Sequence, residues 1–144
     1  MGKQLGHCPC RAGDTDALDY DQCCGRWHLG FAQGSFAQTP EQLMRSRYSA
    51  FALAQRNDKQ GQDLLRYLLG TWFSATSPGD LEISPTQWTG LEVLATQTDG
   101  DAGIVEFLAH FKVNGKADQM HECSRFIRLA DRWYYIDGEG QSDD

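Results

Sequence analysis

Four of the five cysteines lie within seventeen residues, as Cys8-Pro9-Cys10, a twelve-residue loop, and Cys23-Cys24. Thiolates are soft ligands, and two close pairs brought together by a short loop can fill the four corners of a tetrahedral ion. The spacing therefore points to one structural zinc held by Cys8, Cys10, Cys23 and Cys24. Four protein ligands leave no open coordination position, so the ion would hold structure rather than activate water. The competing reading is a loop of reduced, redox-active thiols. His7 and His28 flank the cluster and could each replace a cysteine as ligand, but four sulfurs suffice, so both are read at most as outer support.

The rest of the chain must position that cluster. Residues 1–28 carry neither a 3.6 nor a 2.0 periodicity and read as a metal-dependent segment without its own core. Residues 29–38, with Gly30 and Gly34, read as a connector. Thr39 then offers an N-cap, Pro40 a first helical residue and Gln42 the return half of a capping box. That helix is expected to reach Asn57 with Leu43, Met44, Tyr48, Phe51 and Ala52 as its apolar stripe. A second runs from Gln60 to Trp72, before Pro78, Gly79 and Pro85 break the pattern. From Gln87 the period is two. Strands are expected at Trp88–Leu94, Ile104–Val113, Lys116–Leu129 and Trp133–Ile136, with Asn114-Gly115 as a type I′ hairpin turn. Helices followed by an antiparallel meander define an α+β fold, helices packed on a curved sheet.

The Asn114-Gly115 turn sets a register in which Val113 faces Lys116, Phe107 faces Glu122 and Val105 faces Ser124. Val105, Phe107, Ala109 and Phe111 are all apolar, so their face meets the helices and carries Glu122 with it. An unpaired buried carboxylate costs several kcal/mol. Glu122 thus has two open readings, a structural link to a helix arginine or tyrosine, or a ligand-binding or acid/base carboxylate. The candidate pocket is Glu122, Ser124 and Phe107 on the strands with Arg45, Arg47 and Tyr48 on the helix. Cys123, His110 and His121 fall on the other face and are not assigned a second metal.

Composition sets limits on partners. The chain is 40% hydrophobic with a formal net charge of -7, enough apolar material for a core and a charge that repels phosphate backbones. Lys3, Arg11 and Arg26 make only a local basic patch around the cysteines. No run approaches the roughly 20 apolar residues of a membrane span or a signal peptide's core. A cytoplasmic location is expected, where clustered cysteines bind metal more often than they form disulfides. Nucleophile-elbow, phosphate-loop, dinucleotide-binding and zinc-protease motifs are all missing from the sequence, and no catalytic residue is assigned.

Cys8-Pro9-Cys10 with Cys23-Cys24 resembles the SEC-C motif, a short zinc-binding segment also found in the preprotein translocase ATPase. The run Leu43–Phe51, Trp88-Thr89-Gly90-Leu91-Glu92, Glu122–Phe126 and Trp133–Gly138 resemble signatures of the YchJ family. The resemblance spans nearly the whole chain in the expected order. It implies a cone-shaped, nuclear-transport-factor-2-like domain over residues 39–140, often with a pocket, and no established activity. In the translocase the similar segment contacts an export chaperone. The leading expectation is therefore a non-catalytic cytosolic adaptor that engages a protein partner through its zinc segment. The alternative is a small-molecule binding protein or enzyme using the pocket near Glu122. Relatives usually carry Thr-Trp-His where this chain has Thr71-Trp72-Phe73, which removes one candidate chemical group. Nucleic-acid and membrane partners are not expected.

Overall fold

The computed structural model describes residues 8–11, 19–54, 58–81 and 86–140. Lys3, His7, Asn57, Pro85 and the side chain of Arg11 lie outside them. Three helices, α1 (Cys24–Gly30), α2 (Pro40–Leu53) and α3 (Lys59–Gly70), precede four strands, β1 (Gln87–Asp99), β2 (Ala102–Val113), β3 (Lys116–Leu129) and β4 (Arg132–Gly140). The strands form one antiparallel sheet in the order β1-β2-β3-β4. Short 3-10 turns at Pro9–Arg11, Tyr20–Gln22 and Phe31–Gln33 complete the N-terminal part. None of the described helices is long and apolar enough to cross a membrane.

The α2 start follows its sequence signals. Thr39 Oγ1 accepts from the Gln42 backbone N–H at 3.0 Å, and Pro40 occupies the first turn. The return half of the box differs from expectation: Gln42 Oε1 accepts from the Gln38 N–H instead of that of Thr39. A four-residue reach thus ties down the chain one position before the cap. α3 is capped by Asp58, whose side chain accepts from the Gly61 N–H.

α2 is buried on nearly every side, because it lies between the cysteine segment, α3 and the sheet. Leu43, Met44 and Tyr48 are buried as the apolar pattern predicts, but so are Ser46, Arg47 and Ser49. Each buried polar group has a partner. Ser46 Oγ donates to Leu43 O at 2.8 Å and lies 2.6 Å from Tyr67 Oη of α3. Tyr48 Oη donates to Gly90 O at 3.0 Å, tying α2 to β1.

The β2–β3 register is the one read from the turn, from Val113 opposite Lys116 to Val105 opposite Ser124. Asn114 and Gly115 both have positive φ, 54° and 80°, as a type I′ turn requires. Irregularities between Trp88 and Gly90, between Val93 and Ala95, and between Arg125 and Phe126 fall in the other two pairings, where such features bend a sheet. β1 runs to Asp99 rather than stopping at Leu94, because a two-residue Gly100-Asp101 turn, with Asp99 paired to Ala102, returns the chain directly into β2. The second helix ends at Gly70, before Trp72. Phe73 N–H donates to Tyr135 O at 2.7 Å and Tyr135 N–H to Thr71 O at 2.8 Å, so residues 71–73 bridge to β4 instead of continuing the helix.

Candidate metal centre and inner cavity

Cys8, Cys10, Cys23 and Cys24 converge, their sulfurs all within 4.8 Å of one another. Cys10 Sγ lies 3.6 Å from both Cys23 Sγ and Cys24 Sγ, and none of the four cysteines is in a disulfide. Zn–S bonds of about 2.3 Å at tetrahedral angles put sulfurs about 3.8 Å apart, so the donor set fits a zinc-sized ion. The four cysteines are at most 4% exposed and belong to the same buried cluster as Leu43, Met44 and Leu68.

α2 supplies the surroundings of this site. Ser49 Oγ sits 3.3 Å from Cys8 Sγ and donates to Cys24 Sγ at 3.2 Å. Arg45 Nη1 donates to Cys10 O at 3.0 Å and lies 3.9 Å from Cys10 Sγ. A four-thiolate zinc site carries two net negative charges, which a hydroxyl donor and a guanidinium offset. Hydrogen bonding from Cys10, helped by Cys24 and Ser49, brings the Cys8 thiol down to about 7. The thiol contact with Cys23 pushes Cys10 up, and burial pushes Cys24 up. The metal-free pocket thus holds Cys10 and Cys24 protonated, and a bound cation would expel those protons.

His28 is not a ligand. Its Nε2 lies 2.8 Å from Ser46 O and its Nδ1 2.6 Å from Tyr20 Oη. A carbonyl can only accept, so Nε2 carries the proton and Nδ1 accepts from Tyr20. Burial pulls the imidazole down to about 4, and the neutral ring pins α1 to α2.

On the other side of α2, between that helix and the inner face of the sheet, lies a cavity of about 240 Å³. Arg47, Tyr48, Phe107, Glu122 and Ser124 all line it. Arg45 does not: residues two apart on a helix point to different sides, and Arg45 faces the cysteines. The proposed link from Glu122 to a helix arginine or tyrosine is likewise not made among the described residues. Glu122 Oε2 instead accepts from Ser124 Oγ at 2.8 Å. Its carboxylate lies against Gly138 of β4, where any Cβ would overlap it.

Arg47 is held at the end of α3. Its Nη1 donates to Leu68 O and Thr71 Oγ1, both at 2.7 Å. Leu68 O is one of the carbonyls a helix C-terminus leaves unpaired, and the helix dipole there favours a cation. The guanidinium carbon lies 4.9 Å from the Trp72 ring centroid and 4.5 Å from that of Tyr135. No carboxylate among the described residues reaches Arg47 within ion-pair distance, and burial pulls its pKa down to about 10. Trp72 Nε1, also on the cavity, is buried with no hydrogen-bond partner. Trp72 and Tyr135 were not anticipated as wall residues. The signal for Tyr135 lay in the period-two alternation of Trp133-Tyr134-Tyr135, which turns it inward, and Trp72 is placed by its bridge to Tyr135.

The fold and site together define an α+β protein of the nuclear-transport-factor-2-like kind, with a cysteine cluster packed on its central helix. The family model described as YchJ, middle NTF2-like domain, matches residues 39–138, and the chain belongs to the YchJ family, whose curated relatives are UPF0225 proteins. A UPF0225 protein of Bordetella pertussis is 44% identical over 137 residues, covering 92% of this chain and 91% of the relative. One from Methylibium petroleiphilum is 45% identical over 134 residues, covering 91% and 88%. Among solved structures, a SEC-C motif containing protein from Psychrobacter arcticus matches with a TM-score of 0.75 at 29% identity, covering 97% of this chain and 85% of its own. One from Rhodopseudomonas palustris matches with a TM-score of 0.71 at 30% identity, covering 89% and 96%.

Proposed function

We propose that this chain is a metal-stapled binding protein whose inner cavity holds a small, mostly apolar molecule. The observation that carries the reading is the lining of the cavity. A buried arginine without a paired carboxylate and an unpartnered indole N–H share one apolar space of about 240 Å³. Burying such groups without partners costs free energy unless something else supplies the missing contacts. Pockets of mostly apolar wall with a few convergent polar groups are the usual form of a small-molecule site. The ion at the cysteine cluster is zinc in this proposal, supported by four soft thiols outside any disulfide and at tetrahedral spacing. Its role is to hold α2, which carries Ser49 toward the metal and Arg47 toward the cavity.

Ligand-detected NMR screening of aromatic fragments tests this. Hits should compete with one another and disappear in Ala109→Leu, which fills the cavity from β2, while the backbone spectrum stays folded. Hits that survive the filled cavity would refute the assignment.

Engagement of a protein partner through the metal segment is a second reading. Its support is the outward face of α1, where Arg26 is exposed and Leu29 is 68% exposed. Leu29→Asp should abolish partner capture if that face is used. Unchanged capture would reject it.

A further inference from the structure

The cavity has two poles. At one, Arg47 uses only Nη1 for its hydrogen bonds, which leaves Nε and Nη2 without a protein partner among the described residues. Trp72 Nε1 is a second free donor. At the other, Glu122 accepts one hydrogen bond, from Ser124, and a carboxylate has capacity for more. Both poles act on Tyr135. Its ring lies 4.5 Å from the Arg47 guanidinium carbon, and the Glu122 charge adds to burial in raising its hydroxyl pKa. The rest of the wall is largely aromatic, with Trp88 and Phe126 lining the same space as Trp72.

Charge counting selects the guest. The Arg47 cation and the Glu122 anion sum to zero, and the partial negative charge of the α3 C-terminus sits beside Arg47. A neutral guest leaves that balance intact, whereas an anion would add an uncompensated charge in a desolvated space. A head group that satisfies both poles must offer an acceptor to Arg47 and Trp72 and a donor to Glu122. Size follows from volume. An apolar cavity of about 150 Å³ accommodates benzene, so about 240 Å³ admits a fused bicycle.

We infer that the cavity takes a neutral, flat aromatic molecule of bicyclic size whose head group pairs an acceptor with an adjacent donor, as a primary amide or a lactam does. This rests on the pocket reading above and names its ligand class.

Three probes of one skeleton test the head group: 2-naphthamide, 2-acetylnaphthalene and 2-naphthoate. They are titrated into the metal-loaded full chain and followed by the indole N–H resonances of Trp72 and Trp88. The amide should bind at least tenfold more tightly than either of the others and move the Trp72 N–H downfield as it gains an acceptor. Glu122→Gln removes the negative pole with a nearly isosteric side chain. It should raise naphthoate affinity at least tenfold and erase its disadvantage against the amide. Naphthoate binding the unaltered chain as tightly as the amide would overturn the head-group assignment while leaving the pocket in place. No response to any probe would remove the pocket reading itself, and this inference with it.

Discussion

Acid should loosen the attachment of α1 to α2, and His28 sets by how much. The ring donates from Nε2 to Ser46 O and accepts at Nδ1 from Tyr20 Oη, so it is half-buried in its neutral form with both nitrogens used. Its folded pKa is about 4, against an ordinary 6.5. The unfolded chain therefore binds a proton between these values that the folded chain refuses. The stability contributed by the neutral ring is fully present above pH 6.5 and is lost as pH falls toward 4. At 1.36 kcal/mol per pH unit, the depression amounts to about 3 kcal/mol. Urea unfolding of metal-loaded protein at fixed ionic strength, for the wild type and His28→Gln from pH 7.5 to 4.5, isolates this contribution. Proton-driven loss of metal acts on both proteins and cancels in their difference. The wild-type advantage should be largest above pH 7 and shrink by about 2–3 kcal/mol at the acid end. A difference that stays constant with pH would refute the neutral, pinned imidazole.

Three further outcomes follow from named contacts. Ser49→Ala removes the hydroxyl shared by Cys8 and Cys24 and should weaken zinc retention by about tenfold in competition with a chromophoric chelator; unchanged retention would deny Ser49 that role. Ala130 sits at φ 51° in the β3–β4 turn, so Ala130→Gly should raise unfolding free energy by about 1 kcal/mol in a urea titration; no gain would mean the turn tolerates alanine without strain. Gly138→Ala pushes the Glu122 carboxylate from its seat beside Ser124. It should cost about tenfold in affinity for the amide probe, the loss of roughly one hydrogen bond to a charged group, with thermal stability nearly unchanged; undiminished affinity would show that the seat is not used.

Much of the fold was legible because local chemistry dictated it. Thr39-Pro40 fixed a helix start, Asn114-Gly115 fixed a register, and that register alone turned Glu122 and Ser124 inward. The Gly100-Asp101 turn, with glycine at its first central position, also carried a hairpin signal that would have extended β1 to its observed end. Other features were settled by tertiary contacts. Trp72 fits the helical period of α3, yet the backbone there pairs with Tyr135, and that pairing stacks the indole beside Arg47. Arg45 and Arg47 read as equivalent cations, although a step of two positions along the helix turns one to the metal side and the other to the cavity. The burial of Ser46 and Ser49 carried no sequence signal, because nothing local shows that α2 is enclosed by a cysteine cluster on one side and α3 on another. The shared burial of cysteines and α2 is a property of the assembled core, invisible to any window of sequence.

That shared burial is also where the account is most exposed to test. If the metal holds α2 and α2 carries the Arg47 side of the cavity, occupancy of the two sites must be linked. The direct measurement is 2-naphthamide affinity in one protein sample before and after stoichiometric removal of zinc by a chelator, with metal content verified by elemental analysis. One zinc per chain and at least a tenfold loss of affinity on its removal is the predicted result. Affinity unchanged in metal-free protein would contradict the stapled-pocket account.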